Sequence, residues 1–546
     1  MPFLAEDRFD VSTQDLISWA FDNAAYDLDK PVYIDAADPK RFVSARQGRT
    51  IIRKLVAGFR KAGLEKGDCV VLASFNDLYY PLIVQGIIAA GGVYTGTNPS
   101  YTPHELAHHI KVSKGKFIVV EPELLPPIQA AEHSIPKSNI FIFDTLGQAI
   151  PDGFKPWKWL LEQGERDWVR FNDLQTAKKT LAMLLFSSGT TGLPKAVMLS
   201  HYNLVAQTEG IFEFKPRPWD VKRLLALPFF HAATAPVTHT TPFRKGDESY
   251  IMRRFDLEAF MAGIEKYQIT DLIMVPPVCV AIIMSGLHKK YSLKSIKSAA
   301  CGAAPLDKAV QARLKAMLAP GAPFAQVWGM TETSCVATQL HYPEDDDTGS
   351  VGRPIPNLDI KLVDDDGKDI SAYEVRGEIC VRGPTVVDGY FENPEANSRD
   401  WDDEGFFHTG DIGYCDEASK KWFIVDRKKE LIKVRSFQVA PPEIEGVLLG
   451  HPSIIDAAVI GVYFPQPSGE PTELPRAYIV QRPGTSPLTE KEVYDSVAAK
   501  LSKYKWLDGG VKFLRLEEGG IPKTASGKIL KRVLREMAAK ESGAKL

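Results

Sequence analysis

Short apolar runs alternate with longer amphipathic stretches through most of this chain, and that alternation limits the folds open to it. DCVVLAS (Asp68–Ser74), KFIVVE (Lys116–Glu121) and NIFIFD (Asn139–Asp144) read as buried strands. YYPLIVQGIIAAGGVYTGTN (Tyr79–Asn98) reads as a helix running into a strand. FDLEAFMAGIEKYQITDLIMVPP (Phe255–Pro277) repeats the pattern, with an amphipathic helix and then a strand ending at Pro276-Pro277. Strands separated by helices call for an α/β fold with covered, mainly parallel sheets. From about Asp359 the texture changes to short strands and turns (DIKLVDDDG, GEICVRGP, KWFIVDRKKELIKV), as in a β-rich subdomain. Beyond Arg427 lies a smaller, Lys-rich α+β segment. The charges of Asp426–Glu430 are too dense for the inside of one core. Two units are therefore expected, 1–426 and a smaller, mobile 427–546, in keeping with 546 residues being too many for a single core.

Composition removes several classes of function. A formal net charge of −3 gives no reason to expect a nucleic-acid partner. No apolar run reaches membrane-spanning length, and MPFLAEDRFD lacks the basic-then-apolar pattern of a secretory signal. The six cysteines form no C-x-x-C pair, which argues against a zinc site or a disulfide framework and for free buried thiols.

LLFSSGTTGLPKAVMLSH (Leu184–His201) breaks an apolar strand, AMLLF, with small and hydroxylated residues before apolar residues resume. Gly189 and Gly192 permit positive φ and close approach to the backbone. Ser187, Ser188, Thr190 and Thr191 supply hydroxyls, successive N–H groups can form an anion-binding concavity, and Lys195 adds positive charge. A plain Ser/Gly surface loop is the alternative, but the strand leading into it favours a phosphate site. It is not a Walker loop: Gly189-Thr-Thr-Gly192-Leu-Pro-Lys195 has the wrong spacing, and Gly527-Lys528 is followed by Ile529.

Further stretches belong with that loop: CGAAPL (Cys301–Leu306), QVWGMTET (Gln326–Thr333), TGD (Thr409–Asp411), DRKKELIKVRSFQVAPPEIE (Asp426–Glu445) and PKTASGKILKR (Pro522–Arg532). Six motifs in this order, across nearly the whole chain, resemble the adenylate-forming superfamily. Within it the chain is similar to the acyl-CoA ligases of the 4-coumarate–CoA ligase kind. The resemblance implies a two-step reaction. A carboxylate attacks the α-phosphate of Mg·ATP to give acyl-AMP and pyrophosphate, and the thiol of coenzyme A then displaces AMP.

It also implies roles. Ser187–Lys195 would hold the β- and γ-phosphates. Thr331 would touch phosphate and Glu332 would hold Mg²⁺, a hard cation suited to carboxylate and phosphate oxygen. Ala303 in its Gly-Ala-Ala-Pro turn would cover one face of adenine, with Gln326 beside it. Trp328, where the family usually has Tyr, would stack on the other face. Asp411 would accept hydrogen bonds from both ribose hydroxyls, assisted by Arg427. Lys528 is the leading catalytic residue, its cation bridging the attacking carboxylate and the α-phosphate as negative charge builds. The C-terminal unit would then rotate about Lys429. Lys433 and Gln438 would reach the adenylate in the second state, Arg254 would lie near the CoA nucleotide, and Ser436-Phe437 would border the pantetheine tunnel. Relatives often have Gly at the Ser436 position, so the tunnel geometry is left open.

The acyl pocket is the least legible part. His231, after LPFF, matches a residue near the reacting carboxylate, with a satisfied semi-buried histidine as the alternative. Phe230, Thr234, Cys301, Val327 and Cys335 are expected to line the cavity. Val327 replaces a Gly common in coumarate-type enzymes, so a medium-chain or aryl-alkyl acid is expected in preference to p-coumarate. The ending Ala544-Lys545-Leu546 resembles the S-K-L peroxisomal address and implies an import receptor, a peroxisomal location and a eukaryotic, for example fungal, source. A luciferase-like adenylating oxidoreductase and a nucleotide-binding protein without catalysis stay open beside the ligase. Joint retention of Glu332, Asp411 and Lys528 argues against the latter.

Overall fold

Residues 1–187, 194–434, 437–464, 472–524 and 527–542 are described by the computed structural model. Ser188, Gly189, Thr190, Thr191, Gly192, Ser436 and Ala544–Leu546 therefore lie outside the described residues, as do the side chains of Phe437 and Gln438.

The apolar runs become the strands β1 (Cys69–Ala73), β2 (Val93–Gly96), β3 (Gly115–Val120), β4 (Ile140–Ile142), β5 (Lys155–Pro156), β6 (Leu181–Ser187) and β7 (Lys195–Ser200). They form one sheet in the order β5-β4-β3-β1-β2-β6-β7. Every neighbouring pair is parallel except β6–β7, an antiparallel hairpin that pairs Ser187 with Lys195. Along β1, Val70 and Leu72 enter one apolar cluster and Val71 and Ala73 another. Side chains alternate faces with period two, so both faces are covered and the run is apolar throughout. The helix α1 (Tyr80–Ala89) is buried at all ten positions, which explains why its sequence shows no polar stripe. The start of α2 (Pro103–Ser113) is set by Pro103 in its first turn and by a capping box: Thr102 accepts from the Glu105 N–H, and Glu105 accepts from the Thr102 N–H.

A second parallel sheet, β8 (Asp271–Met274), β9 (Ser298–Cys301) and β10 (Phe324–Gln326), is ordered β8-β9-β10. Here the sequence reading needs one correction. β8 ends at Met274, and Pro276 opens the helix α3 (Pro276–Ser285), a first-turn position where a missing N–H costs nothing. The β-rich part is an antiparallel meander, β11 (Asp359–Val363), β12 (Gly377–Arg382), β13 (Phe407–Cys415) and β14 (Trp422–Arg427). After a turn at 428–430, residues between Ile432 and Ala538 build two apolar clusters of their own around the long pair β15 (Ile454–Phe464) and β16 (Thr472–Gln481). The whole is the mixed α/β arrangement that the alternation calls for.

Candidate active site

A cavity of about 540 Å³ opens where the parallel strands end and the last segment of the chain folds over them. It is lined by Ser187, Lys195, His231, Ala303, Val327, Trp328, Thr331, Glu332, Cys335, Arg427, Lys429 and Lys528, among others. These residues come from sequence positions more than three hundred apart.

The turn after β10 places several of them. Gly329 is obligatory there, because a Cβ on it would sit 1.9 Å from the Cys335 carbonyl oxygen. Trp328 is buried and donates its indole N–H to Asp411 Oδ2 at 2.7 Å. Asp411 and Arg427 face each other across β13 and β14, with Arg427 Nε 3.5 Å from Asp411 Oδ1. The carboxylate is thus fixed from two sides, with its neighbours Gly410 and Arg427 on the cavity wall. Ala303, on the same wall, holds a left-handed φ of 72°, uncommon for a residue with a Cβ. Glu332 is buried, and its Oε1 accepts from the Tyr390 hydroxyl at 3.0 Å. Lys195 lies over the Tyr390 ring at 4.1 Å and donates to Asp400 Oδ2 at 3.0 Å.

Lys528 enters from the C-terminal segment. Gly527 has φ +82°, and a Cβ there would meet Pro277 Cγ at 2.7 Å. The glycine of SGK thus lets the backbone press onto the start of α3 and carry the next residue into the cavity. Burial, and then the Arg427 cation, lower the Lys528 ammonium from 10.5 to about 8. His231 is held below its ordinary value by burial, and then by Lys528. Its Nδ1 accepts from the Ala233 N–H at 3.1 Å, so a neutral ring carries its proton on Nε2. A cavity that brings together a lysine of depressed pKa, further basic side chains and a buried acid is suited to a ligand carrying several negative charges.

Residues 20–391 match the AMP-binding enzyme family, and residues 443–528 match the AMP-binding enzyme C-terminal domain. The chain belongs to the AMP-binding enzymes. It is 52% identical over 542 residues to a phenylacetyl-CoA ligase of Aspergillus niger, covering 98% of this chain and 99% of that one. It is 34% identical over 532 residues to a 4-coumarate–CoA ligase of Pinus taeda, covering 96% of this chain and 95% of that one. It shares its fold with the anthranilate CoA ligase AuaEII in complex with anthranoyl-AMP: the TM-score is 0.83 at 23% identity, over 98% of this chain and 99% of that one. Within the family it is an ATP-dependent, AMP-forming acid–CoA ligase, and neither the oxidoreductase nor the non-catalytic reading is favoured.

In this AMP-binding enzyme some expected site residues are not on the cavity wall. Gln326 is buried below it, exchanging hydrogen bonds with the Leu306 backbone and donating to Gln311, so it holds the turn before Leu306 and does not line the cavity. Cys301 points into the core, with its Sγ 3.8 Å from Cys279 Sγ. Phe230 packs where a Cβ on Gly96 would meet it, and Thr234 Oγ1 donates to the Pro228 and His231 carbonyls. Strand and turn polarity turned these three from the acyl cavity, a detail that position in sequence does not encode. Val327 and Cys335 do line it, and burial raises the Cys335 thiol to about 12. Arg254 is exposed and stacks on Phe75 at 3.8 Å, and Lys433 is exposed on the strand Ile432–Val434, both off the cavity. The sequence reading missed Tyr390, Asp400, Arg217, Arg223 and Asp271, all on the wall. None belongs to a recognisable motif; only the buried charges of RLL and DLIM could have given a hint.

Proposed function

We propose that this ligase activates an aryl-alkyl or medium-chain carboxylic acid as its acyl adenylate and passes it to coenzyme A. The observation that supports this most is the course of the cavity. From Gly302 and Trp328 it continues past Val327 along Ala300, Ala299 and Ser298. At ~3.3 Å per residue, four residues of strand give a passage roughly 13 Å deep. Small side chains along β9 (SAAC) leave the room, and Ile211, Phe212, Leu227 and Val237 supply apolar walls. The phenylacetyl substrate in the name of the Aspergillus niger relative supports the same class.

In the first step the Lys528 cation lies where the acid's carboxylate and the α-phosphate meet and offsets the charge that builds between them. Asp411 holds the ribose and Trp328 holds Asp411. Glu332, a buried carboxylate facing the cavity beside Thr331, fits magnesium, which takes one or two carboxylates and completes its shell with phosphate and water. Glu332 would hold that ion, which when bound neutralises polyphosphate charge, while Thr331 would touch the phosphate. Lys528 inside the cavity and Lys433 exposed outside it support reading this arrangement as the adenylating one. We infer a rotation about Lys429 for thioester formation.

Pyrophosphate release and thioester formation over a panel of straight-chain and arylalkanoic acids, with and without CoA, test the proposal. Pyrophosphate from these acids and CoA-dependent thioester are expected. Preference for short aliphatic acids, or for p-coumarate over all others, would refute the substrate class.

A further inference from the structure

The deep end of the acyl cavity is charged. Asp271 begins β8 and pairs in register with Ser298, at the opposite end of these strands from Gly302. Arg217, Arg223 and Asp271 all line the cavity there, beside the apolar Ile211, Phe212 and Leu272. The Arg223 side chain is only 4% exposed and pairs through Nη1 with Asp247. Its Nε–H, fully buried, has no hydrogen-bond partner among the described residues. Arg217 donates from Nε to Asp271 Oδ1 at 3.1 Å, and no protein acceptor meets its two Nη groups among the described residues. Asp271 can meet few of them, since its Oδ2 already accepts from Trp219 Nε1 at 2.8 Å and Thr270 Oγ1 at 2.8 Å and its Oδ1 already takes the Arg217 Nε–H.

Donors without acceptors at the end of an apolar tunnel are costly if a hydrocarbon tail lies against them, because the tail displaces water and returns nothing. An oxygen acceptor on the tail removes that cost. Its charge can be deduced by counting: Arg217 and Arg223 are cations, and Asp247 and Asp271 balance them. A second carboxylate on the acid would leave one excess negative charge in a buried place, whereas a hydroxyl or carbonyl adds acceptors and no charge. We propose that the preferred acid carries a neutral oxygen acceptor, a hydroxyl or a ketone, at the end remote from its carboxylate, held by Arg217 and Arg223. This deepens the proposed function and rests on it.

The experiment measures pyrophosphate release from straight-chain acids in matched sets: the plain acid, its terminal hydroxy and penultimate oxo derivatives, and the corresponding dicarboxylate. At the best chain length kcat/KM should favour the hydroxy or oxo acid over the plain acid by at least about tenfold, with the dicarboxylate no better than the plain acid. In Arg217→Met the ratio of oxo to plain acid should fall toward one. A merely structural role for Arg217 would lower both acids together and leave the ratio. An equal or reversed preference in the unaltered enzyme, a preference for the dicarboxylate, or an unchanged ratio in Arg217→Met would overturn the inference. Should Arg217→Met not fold, Arg217→Gln gives the same comparison. Turnover of all acids without preference overturns this inference alone, whereas no turnover of any acid overturns the proposed substrate class as well.

Discussion

The protonation of Lys528 should control the first half-reaction, and its pH dependence can be worked out from the structure. Burial, then the neighbouring Arg427, bring the ammonium from 10.5 to about 8, with Asp411, Glu430 and Glu332 opposing. That drop is worth roughly 3 kcal/mol of preference for the neutral form. Only the cation can offset charge between carboxylate and α-phosphate, so adenylation fails as the free enzyme loses this proton. Because kcat/KM for ATP reports groups of the free enzyme, it should show an alkaline limb near pH 8 and fall roughly a hundredfold between about pH 7 and about pH 10. Pyrophosphate release without CoA keeps thiol ionisation out of the assay. Lys528→Arg puts a permanently charged guanidinium in its place, so the rate drops through altered shape but the limb disappears. Lys528→Ala should lose roughly 10²–10³-fold, or ~2.7–4 kcal/mol, at every pH below the limb. A limb that persists unchanged in Lys528→Arg belongs to another group and refutes the assignment.

Val327→Gly should widen the passage beside Gly302, since a Cβ on Gly302 would lie 2.8 Å from Val327 Cγ2. Its kcat/KM for ring-substituted or longer acids should rise relative to short ones, and an unchanged panel would show that the passage is not limiting. Asp426 is raised by burial from 3.8 to about 6, and its Oδ2 has no hydrogen-bond partner among the described residues. With the folded value above the unfolded one, stability is lost as pH rises through about 4 to about 6, so Asp426→Asn should raise Tm at neutral pH and not below about pH 4. An equal Tm change at both pH values would contradict this. Lys429→Pro fixes φ near −65° at the turn where we place the pivot, so acyl-AMP should still form while thioester output collapses. Wild-type thioester rates in single-turnover assays with CoA would remove the pivot from Lys429.

The order of strands and helices was legible because β1, β3 and β6 are buried on both faces and so read as unbroken apolar runs. That Trp328, Thr331, Glu332 and Lys528 share one cavity was legible for a related reason: they lie in short motifs whose spacing is set by tight turns at Gly329 and Gly527. The acyl end has no such punctuation. Cys301 and Ala300 are adjacent in sequence, yet one faces the core and the other the cavity. A shift of one residue on a strand reverses the face, and nothing in SAACG says which face the tunnel takes. Arg217, Arg223 and Asp271 escaped notice because charged residues are normally read as surface. Only the pairings of Arg223 with Asp247 and of Arg217 with Asp271, across 24 and 54 positions, reveal Arg223 and Asp271 as buried and draw the part-exposed Arg217 to them.

Strand polarity connects the two ends of the site. In an open parallel sheet the loops that leave the carboxyl ends of the strands are free to build a crevice, and ligands collect there. Here β8, β9 and β10 run the same way, so Gly302, Ala303, Val327 and Trp328 emerge together on the cavity wall where we place the nucleotide. An acid whose carboxylate must meet the α-phosphate at that edge can extend its tail in only one direction along the strands, back toward their amino ends. The register then decides what the tail meets. Asp271 and Ser298 start their strands side by side, and Arg217 is drawn to Asp271 from a segment more than fifty residues earlier. Covering that pair with an apolar tail would be costly unless a polar group completes it, because an arginine offers five donors and one carboxylate cannot accept them all. On the proposed reading, the three strands that set where adenylation occurs would also set how far the tail reaches and what chemistry its last atoms require.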